Sequence, residues 1–242
     1  MNEPTHGHLH PITRVYTDLV NIFEELGFSV AQGTEIEDEE YNFDALNIPA
    51  DHPARDMQDT FWIKNHPGKL LRTHTSAVQI RYMEKNGAPA KIVVPGKVFR
   101  NEATDRTHEI QFHQMEGLLV GENISLGHLK YTLDSALKKL FGEETVTRLR
   151  PGYFPFVEPG VEIDMKYVRK DAEGNQIGES KWIEILGAGM VHPTVLEAAG
   201  INPKKYTGFA FGMGIDRIAM LKYKIDDVRL LYNGDMRVVS QF

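Results

Sequence analysis

What most restricts the fold of this chain is a succession of extended runs joined by turn signals, with few helix-length segments between them. Lys91 to Arg100, Ile110 to Val120, Val161 to Val168 and Trp182 to Leu186 are rich in β-branched and aromatic residues, and stretches such as Asp171-Ala172-Glu173-Gly174-Asn175 punctuate them. Parallel strands need a long crossover, usually a helix, between each pair. The pattern here therefore predicts an antiparallel α+β domain flanked by a few helices. Ile12, Val15, Leu19, Ile22, Phe23 and Leu26 form the stripe of an amphipathic helix that Pro11 starts and Gly27 stops. Ser76 is expected to cap a short helix through Met83. Ser125 is expected to cap a longer one whose Leu126, Leu129, Leu133, Leu137 and Leu140 share a face before Gly142. Glu35 to Ala54 shows little periodicity and reads as a long ordered loop, the kind that usually carries function. Neither repeat nor linker divides the chain, so residues 1–242 are read as a single catalytic-sized domain with 1–10 as a lead-in.

Composition removes several classes of function. Cys 0 excludes disulfide frameworks, thiolate metal sites and a Cys nucleophile, and suits a reducing, cytoplasmic setting. A net charge of -7, from 27 Lys+Arg against 34 Asp+Glu, does not fit an autonomous binder of a phosphate backbone, so nucleic acid would need a partner's help. No apolar run is long enough for a membrane span, and Met1-Asn2-Glu3-Pro4-Thr5-His6 lacks the order of a signal peptide. The phosphate loop G-x-x-x-x-G-K-[ST], the dinucleotide G-x-G-x-x-G, His-Glu-x-x-His and Gly-x-Ser-x-Gly are all missing, so any phosphate must be held by arginine side chains.

Three clusters can do chemistry. Val98-Phe99-Arg100-Asn101-Glu102 ends one extended run, and Phe112, Gln114 and Glu116 share a face of the next. An amide and a carboxylate on an apolar strand suit a ligand with an ammonium group, although a solvated sheet face explains the same alternation. In Tyr153-Phe154-Pro155-Phe156-Val157-Glu158, Phe154 and Phe156 share a side of a stiff segment and suit either an aromatic guest or the core. Glu158 and Glu184 are candidate Mg²⁺ ligands or ordinary ion-pair partners. Gly208-Phe209-Ala210-Phe211-Gly212-Met213-Gly214-Ile215-Asp216-Arg217 reads as a glycine-rich strand entering an apolar helix. Ligand can approach the strand closely, and Arg217 can meet polyphosphate or simply pair with an acid at a packing corner.

Together these clusters resemble the catalytic core of class II aminoacyl-tRNA synthetases, and more closely the α subunits of bacterial phenylalanyl-tRNA synthetases. The blocks that carry the resemblance are His52-Pro53-Ala54-Arg55-Asp56-Met57-Gln58-Asp59-Thr60-Phe61, Leu71-Arg72-Thr73-His74-Thr75-Ser76, Phe112-His113-Gln114-Met115-Glu116-Gly117, Tyr153 to Phe156, Gly189-Met190-Val191-His192-Pro193 and Gly208 to Gly214, in that order from about Gly7 to Phe242. The resemblance implies a six- or seven-stranded antiparallel sheet and an ATP-dependent ligase that makes phenylalanyl-adenylate and charges tRNA(Phe). It implies Arg100 and Arg217 as catalytic groups on the α- and γ-phosphates, Glu102 on the adenine amino group and His108 on the triphosphate. The amino acid's polar end would be held by His74, Ser76, Gln114 and Glu116, with Phe154, Phe156, Val157 and Ala210 around its ring. Glu158 resembles the family's Mg²⁺ position, shared with a β subunit, and the expected assembly is two α with two β subunits.

Members of that family usually begin with an N-terminal helical arm; this sequence begins where the catalytic core does, and the arm is expected to be missing or trimmed. Thr34 stands where proline is common, Ala188 where cysteine is common and Asp216 where glutamate is common. His6, His8 and His10 are expected to be a polar lead-in rather than a metal site. Two further functions compete with the ligase: a free-standing paralogue that adenylates an amino acid for another acceptor, and a silent regulatory module. Retention of Arg100, Glu102 and Arg217 disfavours the silent module.

Overall fold

A computed structural model describes residues 7–50, 60–170 and 175–242, the side chain of Lys170 excepted. His6, most of the block from His52, and the turn residues Asp171 to Gly174 lie outside the described residues. A seven-stranded sheet in the order β1-β4-β5-β11-β10-β7-β6 forms the centre. Its strands are β1 (Ser29–Val30), β4 (Ala90–Phe99), β5 (Gln111–Gly121), β6 (Val146–Pro151), β7 (Val157–Lys166), β10 (Ile183–Val191) and β11 (Thr207–Gly214). Two ribbons, β2 (Ile36–Asp38) with β3 (Lys69–Leu71) and β8 (Val168–Lys170) with β9 (Gln176–Glu179), complete the strands. All pairings in the central sheet are antiparallel except that of β1 with β4, which is parallel. The antiparallel α+β sheet expected from the sequence is the one that forms, with the two-residue edge strand β1 as its parallel member. The chain leaves the first helix at Gly27, whose φ of +83° reverses it, and β1 then runs beside β4.

Helices cover both faces. Pro11–Glu25, Leu126–Phe141 and Ile215–Tyr223 pack with Phe209, Phe211 and Met213 of β11 in one core. Ser76–Asn86, Pro193–Ala198 and the 3₁₀ turn Asp44–Leu46 close the other. Strand alternation leaves Gly208, Ala210, Gly212 and Gly214 facing that second side, where they add almost no bulk. Room therefore remains between the sheet and its second helical layer.

Ser125 caps its helix as expected, and one expected cap differs in detail. Ser76 is the first residue of its helix rather than the cap, which is Thr75, because the Ser76 hydroxyl donates to the Glu116 carboxylate at 2.5 Å. His10 caps the first helix by accepting from Ile12 N–H at 3.2 Å, and His192 does the same for Thr194 N–H at 3.2 Å. His10 also reaches the Leu231 carbonyl at 3.0 Å and His8 the Phe242 carbonyl at 2.6 Å, so the described part of the histidine lead-in ties the two ends of the chain together. The segment from Glu35 is not simply a loop: β2, a helical turn at Glu39–Asn42 and the 3₁₀ turn lie within it.

Candidate active site

On the open side of the sheet lies a cavity of about 810 Å³ whose walls come from β5, β7, β10, β11, the Ser76 helix and the loop before it. Phe112, Gln114 and Glu116 do share one face of β5: Gln114 and Glu116 line the cavity, and the Phe112 ring lies 5.1 Å below the Arg100 guanidinium carbon. The solvated-face alternative fails, because Glu116 is buried. Its carboxylate accepts from Thr75 N–H at 3.0 Å, Ser76 Oγ at 2.5 Å and Gln79 Nε2 at 3.0 Å. Burial raises its pKa, and these donors together with the Arg100 charge oppose that rise. Gln114 differs: its Oε1 is buried without a hydrogen-bond partner among the described residues. An unmatched buried acceptor is costly, and a donor on a bound ligand would satisfy it.

The loop Arg72–Ser76 is fixed from several sides. Arg72 is buried and donates from Nε to the Lys97 carbonyl at 2.8 Å and from Nη1 to the Thr34 carbonyl at 3.2 Å. A Cβ on Gly96 would sit 2.2 Å from Arg72 Nη2, so glycine is what lets this guanidinium lie against β4. Asn42 and Thr73 exchange two hydrogen bonds, at 3.1 and 3.2 Å. His74 donates from Nε2 to the Asn42 carbonyl at 3.0 Å and accepts from Ser76 N–H at Nδ1 at 3.2 Å, which fixes its tautomer. Burial first, and the Arg100 charge second, hold its pKa down to about 3, so the ring is neutral. His74 and Ser76 thus line the cavity as groups already engaged with the protein, Ser76 keeping its hydroxyl lone pairs for an incoming donor.

Arg100 follows β4. Its Nε donates to the Thr73 carbonyl at 3.1 Å, and its terminal nitrogens have no hydrogen bond among the described residues, leaving the fork free at the cavity. Arg217 is exposed on the first turn of its helix. Its Cβ lies 3.6 Å from where a side chain on Gly214 would begin, and Gly214 pairs directly with Gln114. Arg217 therefore rises from the same sheet face as Arg100, although it is not itself a wall of the cavity. Glu102, half-buried, acts electrostatically on Arg100, while exposed His108 bonds Asp105 at 3.0 Å within the loop joining β4 and β5. The structure brings His74, Ser76, Arg100, Gln114, Glu116, Phe154, Phe156, Val157, Ala210 and Glu184 to the cavity, and leaves Glu102, His108, Arg217 and Glu158 off its walls.

The far end is apolar. Phe154 and Phe156 stack with centroids 5.9 Å apart, and Asn47 Nδ2, donating to the Pro155 carbonyl at 2.7 Å, holds their segment. Leu46, Ile48, Ile80 and Met83 close this end. Sequence reasoning missed Gln79, Asn47 and the anchoring of the loop by Arg72; the one available signal was Gln79 three residues after Ser76, on the same helix face.

Glu158 and Glu184, the candidate Mg²⁺ ligands, stand apart in the structure. Glu184 pairs with Asp164 across the sheet, whereas Glu158 lies by the Val157–Val191 pair, six positions along β7 and so about 20 Å away at roughly 3.3 Å per residue. Glu184 also accepts from Arg150 at 3.0 Å, and no group of three or more metal-ligating side chains occurs among the described residues.

This arrangement of an antiparallel sheet, a carboxylate- and amide-floored cavity and arginines rising from one sheet face is that of a class II synthetase core. Residues 1–242 match the family described as tRNA synthetases class II core domain (F), and the chain belongs to that family. Within it, the chain is 56% identical to the phenylalanine–tRNA ligase alpha subunit of Caldanaerobacter subterraneus subsp. tengcongensis, over 98% of this chain and 70% of that protein. It is 56% identical to the alpha subunit of Staphylococcus carnosus over 98% of this chain and 67% of that protein. A crystal structure of pyrrolysyl-tRNA synthetase from Desulfitobacterium hafniense shares the fold, with a TM-score of 0.68 at 16% identity over 93% of this chain and 74% of that one. No helix among the described residues is long and apolar enough to cross a membrane.

Proposed function

We propose that this chain is the catalytic α subunit of a phenylalanine–tRNA ligase, activating phenylalanine with ATP and passing it to tRNA(Phe). The observation that carries the reading is a single cavity with an unmatched Gln114 amide oxygen and the free Arg100 fork at its polar end and the Phe154–Phe156 pair at its apolar end. Such a site suits a small amphipathic ligand with an ammonium group, a carboxylate and an aromatic ring. The names of the relatives support phenylalanine and tRNA as substrates, and the word "alpha" supports a β subunit partner. The fuller reading has two α and two β subunits working in the cytoplasm, with residues 1–242 as one catalytic domain.

In the first step a carboxylate oxygen of phenylalanine attacks the α-phosphorus of ATP, and the bond to the bridging oxygen breaks to release pyrophosphate. The carboxylate is ionised at neutral pH, so no general base is required. Gln114 Oε1 accepts from the ammonium group, and the charge of buried Glu116 favours that cation. Arg100 binds the α-phosphate with two parallel donors, a geometry lysine lacks. Arg217 takes the γ-phosphate, Glu102 the adenine amino group and His108 the triphosphate. Rate then comes from alignment and from fixed positive charge where phosphoryl charge develops. A terminal hydroxyl of tRNA next attacks the adenylate carbonyl and expels AMP. Magnesium belongs to this reading as a companion of ATP, since that ion is commonly held through substrate phosphates and one or two carboxylates.

ATP–pyrophosphate exchange with phenylalanine tests the proposal. Arg100→Ala is expected to lower exchange by about a hundredfold or more, as loss of a transition-state donor does, while phenylalanine binding changes little. Near-normal exchange in that variant sinks the assignment. Adding a β subunit should be needed for acylation of tRNA.

A further inference from the structure

Asp216 is a buried carboxylate, 4% exposed, that no step above uses, and it immediately precedes Arg217. We propose that Asp216 and Tyr232 are positioning residues that hold Arg217 over the nucleotide, an inference that rests on the ligase reading. Register explains why an acid stands here. The β5–β11 ladder ends at the pair Gln114–Gly214, after which β11 turns into the helix Ile215–Tyr223. The next N–H on β5, that of His113, has lost its strand partner, and Asp216 Oδ2 takes its hydrogen bond at 2.8 Å. The carboxylate thus continues the ladder by one bond and fixes the first helical turn against β5.

The second oxygen is bound from elsewhere. Tyr232, just past the 3₁₀ turn Val228–Leu231, donates its hydroxyl to Asp216 Oδ1. That hydroxyl also lies 3.1 Å from His113 Nδ1. With its one proton given to Asp216, the Tyr232 oxygen accepts, so His113 carries its proton on Nδ1 and the order is His113 to Tyr232 to Asp216. The His113 and Tyr232 rings lie nearly parallel, 5° apart in tilt with centroids at 6.4 Å. Among the described residues no lysine or arginine pairs with Asp216, so these neutral donors alone satisfy it, and removing one leaves a buried lone pair unmatched.

The same C-terminal segment holds the loop that carries Glu102 and His108. Val228 N–H donates to the Arg106 carbonyl at 2.9 Å, and Arg106 donates back to the Asp226 carbonyl at 3.3 Å. Residues 226–232 therefore touch both the loop after Arg100 and the turn bearing Arg217. They lie away from the apolar pocket that would receive the ring.

The experiment is a double-mutant cycle in exchange assays on the full chain with its β subunit. Tyr232→Phe is expected to raise KM for ATP about tenfold and KM for phenylalanine by less than twofold. In an Arg217→Ala background the same change is expected to alter KM for ATP by less than twofold, because the group it positions is gone. A merely structural role predicts additive losses and a similar rise in both KM values, and either result overturns the proposal, as does an unchanged KM for ATP in Tyr232→Phe. Asp216→Asn, which keeps shape but turns one acceptor into a donor, should reproduce the ATP-specific defect. If the unmodified enzyme gives no exchange, the ligase reading fails and takes this inference with it; an active parent with an unaffected variant sinks the positioning role alone.

Discussion

Ala210 lies on β11 opposite Leu118 and Gly189, with its methyl on the cavity face among glycines at 208, 212 and 214. It is the one non-glycine among these alternate residues of β11, and so it gauges how far a ring can enter. Removing that methyl lengthens the pocket without adding a polar group. Ala210→Gly is expected to raise exchange with para-chlorophenylalanine relative to phenylalanine by tenfold or more, in line with roughly 1–3 kcal/mol for a methyl-sized change in a tight pocket. Unaltered discrimination would move Ala210 away from the ring's far edge. Single residues were legible where strand parity alone placed them, as with Gln114 and Glu116. Asp216 was not, because its role depends on Tyr232 and His113, which only the folded chain brings to it.

Among elements, the β7–β10 pair shapes the ring end. The tip of the Phe154 ring lies against Gly187 of β10: a Cβ there would stand 2.8 Å from the ring's Cζ and 3.3 Å from Cε2. Gly187→Ala therefore pushes the ring into the cavity or forces the turn Gly152–Gly160 to shift, at an overpacking cost of about 1–3 kcal/mol. The expected kinetic signature is a KM for phenylalanine raised tenfold or more with KM for ATP little changed, since Arg100 stands at the end of β4, three strands away. Equal effects on both substrates would show that Phe154 does not border the amino acid alone. Strands with apolar alternation could be read from the sequence, but β6 could not. Its Arg148 and Arg150 break the pattern, and what holds them is Asp164 of β7, which accepts from both at 2.8 to 2.9 Å. Arg150 reaches Glu184 of β10 at the same time, at 3.0 Å.

At the scale of the whole molecule, the sheet separates two cores, and the cavity occupies the side where β11 carries glycine and alanine. Acid should expose how that side is built. His74 has a folded pKa of about 3 against an ordinary 6.5, so protonation favours the unfolded chain. Its contribution is complete above pH 6.5 and is lost as pH falls from there toward 3, by about 1.4 kcal/mol per unit, or roughly 2 kcal/mol at pH 5. Glu116 has the opposite sign: its pKa is raised by burial, so protonation favours the folded chain and stability returns as pH falls through that raised value toward 4.5. Asp164 and Asp38 are held below 3.8, chiefly by hydrogen bonds from Arg150 and Lys69 respectively, and their contributions are lost only at still lower pH. Between pH 6.5 and 4.5 the stability curve is thus a contest between two cavity residues. Unfolding monitored by denaturant at pH 7 and pH 5 should show His74→Gln losing about 2 kcal/mol less than the parent, and Glu116→Gln losing more than the parent. Parallel curves for parent and His74→Gln would mean that the imidazole is not held neutral between Asn42 and Ser76, and the fixed loop on which the polar end of the cavity depends would have to be redrawn.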